Sequence, residues 1–84
     1  MSCKLKFEKP AEKAISSLPE MVSKRIHKRL EELAQEPSCE ERLKGKLKNL
    51  CKMRIGNYRV IYYLLPCTVI IIRIGKRESF YEKL

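Results

Sequence analysis

The sequence has no aspartate: all ten of its acids are glutamate. A two-metal nuclease site is therefore not buildable in the usual way. It has one histidine, His27, which excludes an acid–base ribonuclease that works with a histidine pair. Its four cysteines, at 3, 39, 51 and 67, form no C-x-x-C pair and lie far from His27 in sequence, which argues against a zinc site. Long hydrophobic runs are missing too. The longest, "VIIIRI", is broken by Arg73, so no membrane span is expected. The start, "MSCKLKFEKP", alternates charged and apolar residues and does not read as a signal peptide. These absences predict a soluble, cytoplasmic product with no metal and no small-molecule cofactor. A reducing cytoplasm argues against disulfides, proteins of extreme thermophiles being the exception, so Cys51 and Cys67 read as small core residues.

What is present is positive charge, unevenly spread. Residues 1–41 carry eight acids and eight bases and so balance. Residues 42–77 carry Arg42, Lys44, Lys46, Lys48, Lys52, Arg54, Arg59, Arg73, Lys76 and Arg77 with no acid at all. A field of one sign on a small surface attracts polyanions, nucleic acid first among them. The bland alternative, a solvated face that only aids solubility, would normally mix signs.

Eighty-four residues make one domain, residues 1–84. A chain of this size buries roughly 60% of its unfolded surface, so its core is small. The stretch 3–8 alternates and reads as a strand. Pro10 opens a helix that aligns Ala11, Ala14, Ile15 and Leu18. Pro19 ends that helix and opens a second, with Val22, Ile26, Leu30 and Leu33 on one stripe, finishing before Pro37. His27 sits beside the stripe and reads as a surface or boundary residue. The segment "EPSCEERLKGK" reads as a loop. Three strands follow, at about 47–55, 58–65 and 68–74, joined by Gly56-Asn57 and Pro66-Cys67. The fold class is α+β: an N-terminal strand, a helical hairpin, then an antiparallel three-stranded meander completing a four-stranded sheet.

The hairpin "KMRIGNYRVIYY" raises a specific problem. With Gly56-Asn57 as the loop, Arg54 stands directly opposite Arg59, a like-charge pair that costs on the order of 1 kcal/mol. A fold has no need of that arrangement, but an anion held between the two arginines would justify it. Lys52 and Arg54 should share a face with Arg59, Ile61 and Tyr63. The third strand is apolar on both sides. The helices cover one face, which leaves a second apolar patch exposed or covered by another protein. In a meander Gly75, Lys76 and Arg77 return beside Tyr58 and Arg59, and Tyr81 can fold back to the same end. Such a cluster suits a phosphate developing charge.

The stretch "CKMRIGNYRVIYY", followed after a hydrophobic strand by "GKRESFY", resembles the RelE toxins of the RelE/ParE superfamily. The resemblance spans most of the chain and is most specific in the last 40 residues or so. It implies a ribosome-dependent messenger-RNA endonuclease, a toxin paired with an acidic, RelB-like antitoxin protein. Carried over position by position, the family's catalytic basic pair matches Lys52 and Arg54. Its "G-Y-R-hydrophobic-hydrophobic-Y" arginine matches Arg59, with Asn57 where relatives often have glycine. Its "G-K-R-E" arginine matches Arg77 and its C-terminal tyrosine matches Tyr81. The spacing between those two is short here, and relatives often continue beyond the position of Leu84. Lys44, Lys46, Lys48 and Lys76 are candidate nucleic-acid contacts.

The implied reaction is metal-free. The substrate's own 2′-hydroxyl attacks the adjacent phosphate, leaving a 2′,3′-cyclic phosphate and a 5′-hydroxyl, so DNA is not cut. Tyr81 is the candidate base, since surrounding cations favour its phenolate. Arg77 would support the leaving oxygen, and Lys52, Arg54 and Arg59 would hold the phosphate. Two alternatives belong to other classes: a gyrase-inhibiting toxin of the ParE branch, and a non-catalytic nucleic-acid-binding domain that stacks bases on exposed tyrosines.

Overall fold

The computed structural model describes residues 2–45 and 49–76. The elements run β1 (Lys4–Phe7), α1 (Lys9–Ser16), α2 (Glu20–Gln35), β2 (Glu41–Arg42), β3 (Cys51–Ile55), β4 (Tyr58–Leu65) and β5 (Thr68–Gly75). The sheet order is β1-β5-β4-β3-β2. β1 lies parallel to β5, and the other pairs are antiparallel. This order explains the helical hairpin. β1 sits at one edge and β2 at the other, so α1 and α2 carry the chain across one face before the meander returns to β1.

Local chemistry sets the helix limits. Pro10 lies in the first turn of α1, where its missing N–H costs nothing. At the other end the Ser16 hydroxyl donates to the Glu12 carbonyl and the Ser17 hydroxyl to the Lys13 carbonyl, which satisfies acceptors of the last turn. Pro19 caps α2. Ala11, Ile15, Ile26, Leu30 and Leu33 are buried against Met53, Ile55, Val60, Tyr62, Val69, Ile71 and Ile74, and Val22 is packed at the margin. His27 is exposed, its ring 5.8 Å from that of Phe7.

Three features differ from the sequence reading. The loop after α2 contains a fifth strand: β2 pairs with β3 as Glu41↔Lys52 and Arg42↔Cys51, and the Leu43 N–H donates to the Leu50 carbonyl at 3.0 Å. β3 accordingly begins at Cys51 rather than near 47. The expectation of no disulfide is overturned as well, because Cys39 is bonded to Cys51 with a Cα separation of 5.4 Å. That expectation rested on compartment; a bend at Glu40, just before β2, puts Cys39 within bridging range of Cys51. Finally, Cys67 is not a core residue. It is exposed at the β4–β5 turn with φ 49°, because the Leu65↔Thr68 pair leaves Pro66 and Cys67 as turn residues outside the ladder. Among the described residues no helix is long and apolar enough to cross a membrane.

Candidate nucleic-acid interface

Both helices pack on one face of the sheet, so the site belongs to the other. The β3–β4 register is Ile55↔Tyr58, Arg54↔Arg59, Met53↔Val60, Lys52↔Ile61. Gly56 adopts φ 60°, as the first position of a type II′ hairpin turn requires. The pairing of Arg54 with Arg59 is thus real, and both arginines lie on the open face, Arg54 exposed and Arg59 half-buried.

β5 adds a residue that the sequence reading counted but did not aim. Its ladder with β4 runs Arg59↔Gly75, Val60↔Ile74, Ile61↔Arg73 and then Tyr62↔Ile71, so Ile72 is an extra residue in β5. A bulge of this kind changes which side chains face which way. It lets Ile71 and Ile74 both enter the core while Arg73 turns to the open face beside Ile61. Ile61 therefore lies between Lys52 and Arg73, and Arg59 lies between Arg54 and Gly75. Four cations surround one isoleucine.

That isoleucine corrects a further expectation. Ile61 is on the face no described helix covers, yet it is 0% exposed. The cover comes from within this chain. Lys52 and Arg73 flank Ile61, and the Lys52 side chain is only 10% exposed, as expected when its methylenes lie along apolar surface. Tyr63 and Ile70, paired further along the same face, are half-buried. The apolar patch is smaller than the run "TVIIIRI" suggests.

Nor is the site free of acid. β2 sets Glu41 against Lys52, with Oε2 2.7 Å from Nζ. Glu40, Glu41, Lys52 and Arg54 line a cleft of about 350 Å³ at this edge. Glu40 is fixed by an ion pair with Arg29 and by its backbone N–H, which donates to the Tyr62 hydroxyl at 3.0 Å. That hydroxyl donates to the Ser38 carbonyl at 2.7 Å. Burial pushes the Tyr62 pKa up, with the Glu40 N–H bond acting in the opposite direction. Tyr62 is a protonated structural residue, not a base. The acids of "CEER" carry no local signal of this contact; only the long-range pairing of β2 with β3 sets Glu41 against Lys52.

The remaining candidates divide. The Arg59 guanidinium donates to the Tyr58 carbonyl at 3.3 Å, and that of Arg73 to the Ile72 carbonyl at 2.9 Å. Lys76 arrives beside Tyr58, as the meander predicts, its Nζ 5.7 Å from the ring centroid. Tyr58 packs on the helix-side core, so Lys76 sits at the end of the sheet rather than among the open-face arginines. Lys44 follows Leu43, opposite Leu50, and is thus at the far end of β3 from Arg54. Lys46, Lys48, Arg77 and Tyr81 lie outside the described residues.

Comparison with known proteins agrees with this geometry. The profile of the family described as the ParE toxin of the type II toxin–antitoxin system parDE matches residues 5–81. No curated protein matches the sequence. Among solved structures, a double arginine-to-alanine mutant of the Escherichia coli toxin RelE in the free state is 27% identical, with 96% of this chain and 90% of that one covered and a TM-score of 0.79. The archaeal RelE of the RelE–RelB complex from Pyrococcus horikoshii is 29% identical over 93% of this chain and 98% of that one, TM-score 0.74. The RelBE2 complex from Mycobacterium tuberculosis shares the fold, at 23% identity, 92% and 93% coverage and TM-score 0.81. With its helix-backed sheet and a profile match over nearly its whole length, the chain belongs to the RelE/ParE superfamily of type II toxin–antitoxin toxins.

Proposed function

We propose that this toxin is a ribosome-dependent, metal-independent messenger-RNA endonuclease. The observation that carries this reading is the facing pair Arg54 and Arg59, flanked on the same open face by Lys52 and Arg73. Guanidinium forks hold phosphate oxygens through paired hydrogen bonds, and two of them facing across a hairpin suit a phosphodiester of single-stranded RNA. Pre-aimed cations then stabilise the charge that develops on the phosphate as the 2′-hydroxyl attacks. Lys52, Arg54 and Arg59 hold the phosphate, with Arg77 and Tyr81 taken from the family resemblance as leaving-group support and base. Among the described residues the site has no evident device to unstack and orient RNA. The ribosomal decoding site would supply that orientation, which is worth several kcal/mol.

The partner that restrains it is an acidic, RelB-like antitoxin. RelE relatives with the same fold have been solved as complexes with RelB antitoxins, including the Escherichia coli mutant toxin with a RelB peptide. An excess of ten cations in residues 42–77 favours such a partner by charge. Both partners would meet in the cytoplasm, where translating ribosomes are.

The test is induced expression with mapping of messenger-RNA 5′ ends, and purified toxin with and without ribosomes. Cuts with 5′-hydroxyl ends only when ribosomes are present are expected. Efficient cutting of naked RNA at matched concentration would overturn ribosome dependence. The family's description as ParE toxins favours a second reading, a gyrase inhibitor. It predicts intact messages and damaged DNA in the same experiment.

A further inference from the structure

We propose that Cys3 and Cys67 are a second disulfide site, closed by thiol–disulfide exchange with a low-molecular-weight disulfide. Both are free thiols in this structure, Cys67 exposed and Cys3 half-buried. The backbone holds them side by side. The Cys3 N–H donates to the Ala34 carbonyl at 2.8 Å, and the next N–H, of Lys4, donates to the carbonyl of Cys67 at 3.1 Å. The parallel register Lys4↔Thr68, stepped back one residue, sets Cys3 beside Cys67. Neighbouring strands are about 4.8 Å apart, inside the range of Cα separations that a disulfide spans. The two thiols are also near enough to act on each other: the Cys67 thiol, ahead of burial, raises the Cys3 pKa.

A second observation is independent of the first. Cys67 follows Pro66 at the turn and has φ 49°, alone among the described non-glycine residues in the left-handed region. Glycine or asparagine normally occupies that turn position, because a Cβ there is strained. A cysteine carries the strain and, as a free thiol on the surface, gains no burial in return. Its sulfur explains its presence if the sulfur is used.

The exchange balances. The exposed Cys67 thiolate attacks one sulfur of oxidised glutathione, forming a mixed disulfide and expelling one glutathione thiolate. The Cys3 thiolate then attacks the Cys67 sulfur and expels the second. Two S–H bonds are lost, one S–S bond forms, and the glutathione disulfide is reduced to two thiols that take up the protons. The loop closed spans most of the chain and encloses the Cys39–Cys51 bridge. It ties the edge strand β1 to the β4–β5 turn. For a chain with so small a core, covalent staples are the expected supplement.

The experiment uses the full chain with Cys39–Cys51 intact, treated with oxidised glutathione and followed by intact mass, thiol alkylation and non-reducing peptide mapping. The expected product has lost two hydrogens, takes up no alkylating reagent and yields a peptide joining Cys3 to Cys67. Its melting temperature should rise on the order of 15 °C. Cys67→Gly supplies the contrast. It should melt a few degrees above the reduced parent, because the turn strain is relieved, and it should gain nothing from oxidation. A glutathione adduct that persists on either cysteine, unchanged free thiols, or cross-links exchanged with Cys39 or Cys51 would each overturn the proposal.

Discussion

The two faces of the sheet obey different rules. On the helix side, alternation brings Met53, Ile55, Val60, Tyr62, Val69, Ile71 and Ile74 under Ile26, Leu30 and Leu33, and every contact there lowers the free energy of the fold. On the open side, the same strands present Lys52, Arg54, Arg59 and Arg73 around Ile61. Like charges on neighbouring strands add less to stability than the apolar pairs behind them, even with Glu41 set against Lys52. One face therefore maintains the structure, while the other is positioned by it. Charged residues gathered on a face that the core does not need are where function is to be sought.

The sharpest break of this comparison is a core truncation. Leu30 is 0% exposed between the sheet and the rest of α2. Leu30→Ala should cost about 2–5 kcal/mol of stability, a large share of what a chain this size has. Urea denaturation gives the number. A loss under 1 kcal/mol would show that the core collapses around the gap or that α2 is loosely docked.

Arg59→Ala should do the reverse. We expect it to raise the barrier to RNA cleavage by roughly 2–4 kcal/mol, by analogy with losing one oxyanion donor, with stability unchanged within about 1 kcal/mol because the repulsion relieved with Arg54 offsets the contacts that Arg59 gives up. Single-turnover cleavage on programmed ribosomes and a melting curve test the two halves. A large drop in melting temperature with normal cleavage would make Arg59 structural.

Between the faces stands the Tyr62 hydroxyl, which pins residues 38–40 from below. Tyr62→Phe should cost about 1–2 kcal/mol, since the Glu40 N–H and Ser38 carbonyl lose their partner. There is also a pH signature. The folded-state pKa of Tyr62 is raised by burial, so the native state favours the neutral phenol. That contribution is complete below the unfolded value, near 10, and is lost as pH rises through the folded value. The alkaline fall in stability should therefore be shallower in Tyr62→Phe than in the parent, measured as the difference between the two melting profiles above about pH 10.

The hairpin turn that sets the register is a smaller test. Gly56 has φ 60°, and a Cβ there would lie 3.2 Å from the Arg25 guanidinium. Gly56→Ala should cost about 1–2 kcal/mol through backbone strain, while Arg25, a long side chain, can move aside. Thermal melts measure it. Combined with loss of RNA cleavage beyond the stability change, the result would tie turn geometry to the Arg54–Arg59 spacing.

How much of this was readable beforehand follows the same division. The helices, their stripes and the β3–β4 register were legible because proline positions, a 3.6-residue period and Gly56-Asn57 are local signals. Local signals failed where distance decided. β2 is two exposed residues, Glu41–Arg42, with no periodicity to detect; a disulfide and a cross-strand ion pair define it. The bulge at Ile72 was hidden because a run of three isoleucines looks the same in either phase, so Arg73 could not be aimed. Arg77 and Tyr81 lie outside the described residues and rest on the meander topology and the family resemblance.

The finest test concerns the acid that the sequence kept away from the basic half and the fold returned to it. Glu41 faces Lys52 at 2.7 Å, but its side chain is 61% exposed. Such a pair contributes about 0–1 kcal/mol to stability, so Glu41→Gln should melt within a few degrees of the parent. Its effect on binding should be larger. The carboxylate competes with phosphate for the Lys52 ammonium, and removing it leaves one more cation for the polyanion. Affinity for single-stranded RNA should rise a few-fold, and the slope of log affinity against log salt should steepen by up to about 0.7, the increment for one phosphate contact on a single strand. Fluorescence anisotropy at several salt concentrations reads both. If Glu41→Gln instead weakens binding, the carboxylate orients Lys52 toward the RNA rather than masking it, and the acidic edge of the cleft belongs to the working face.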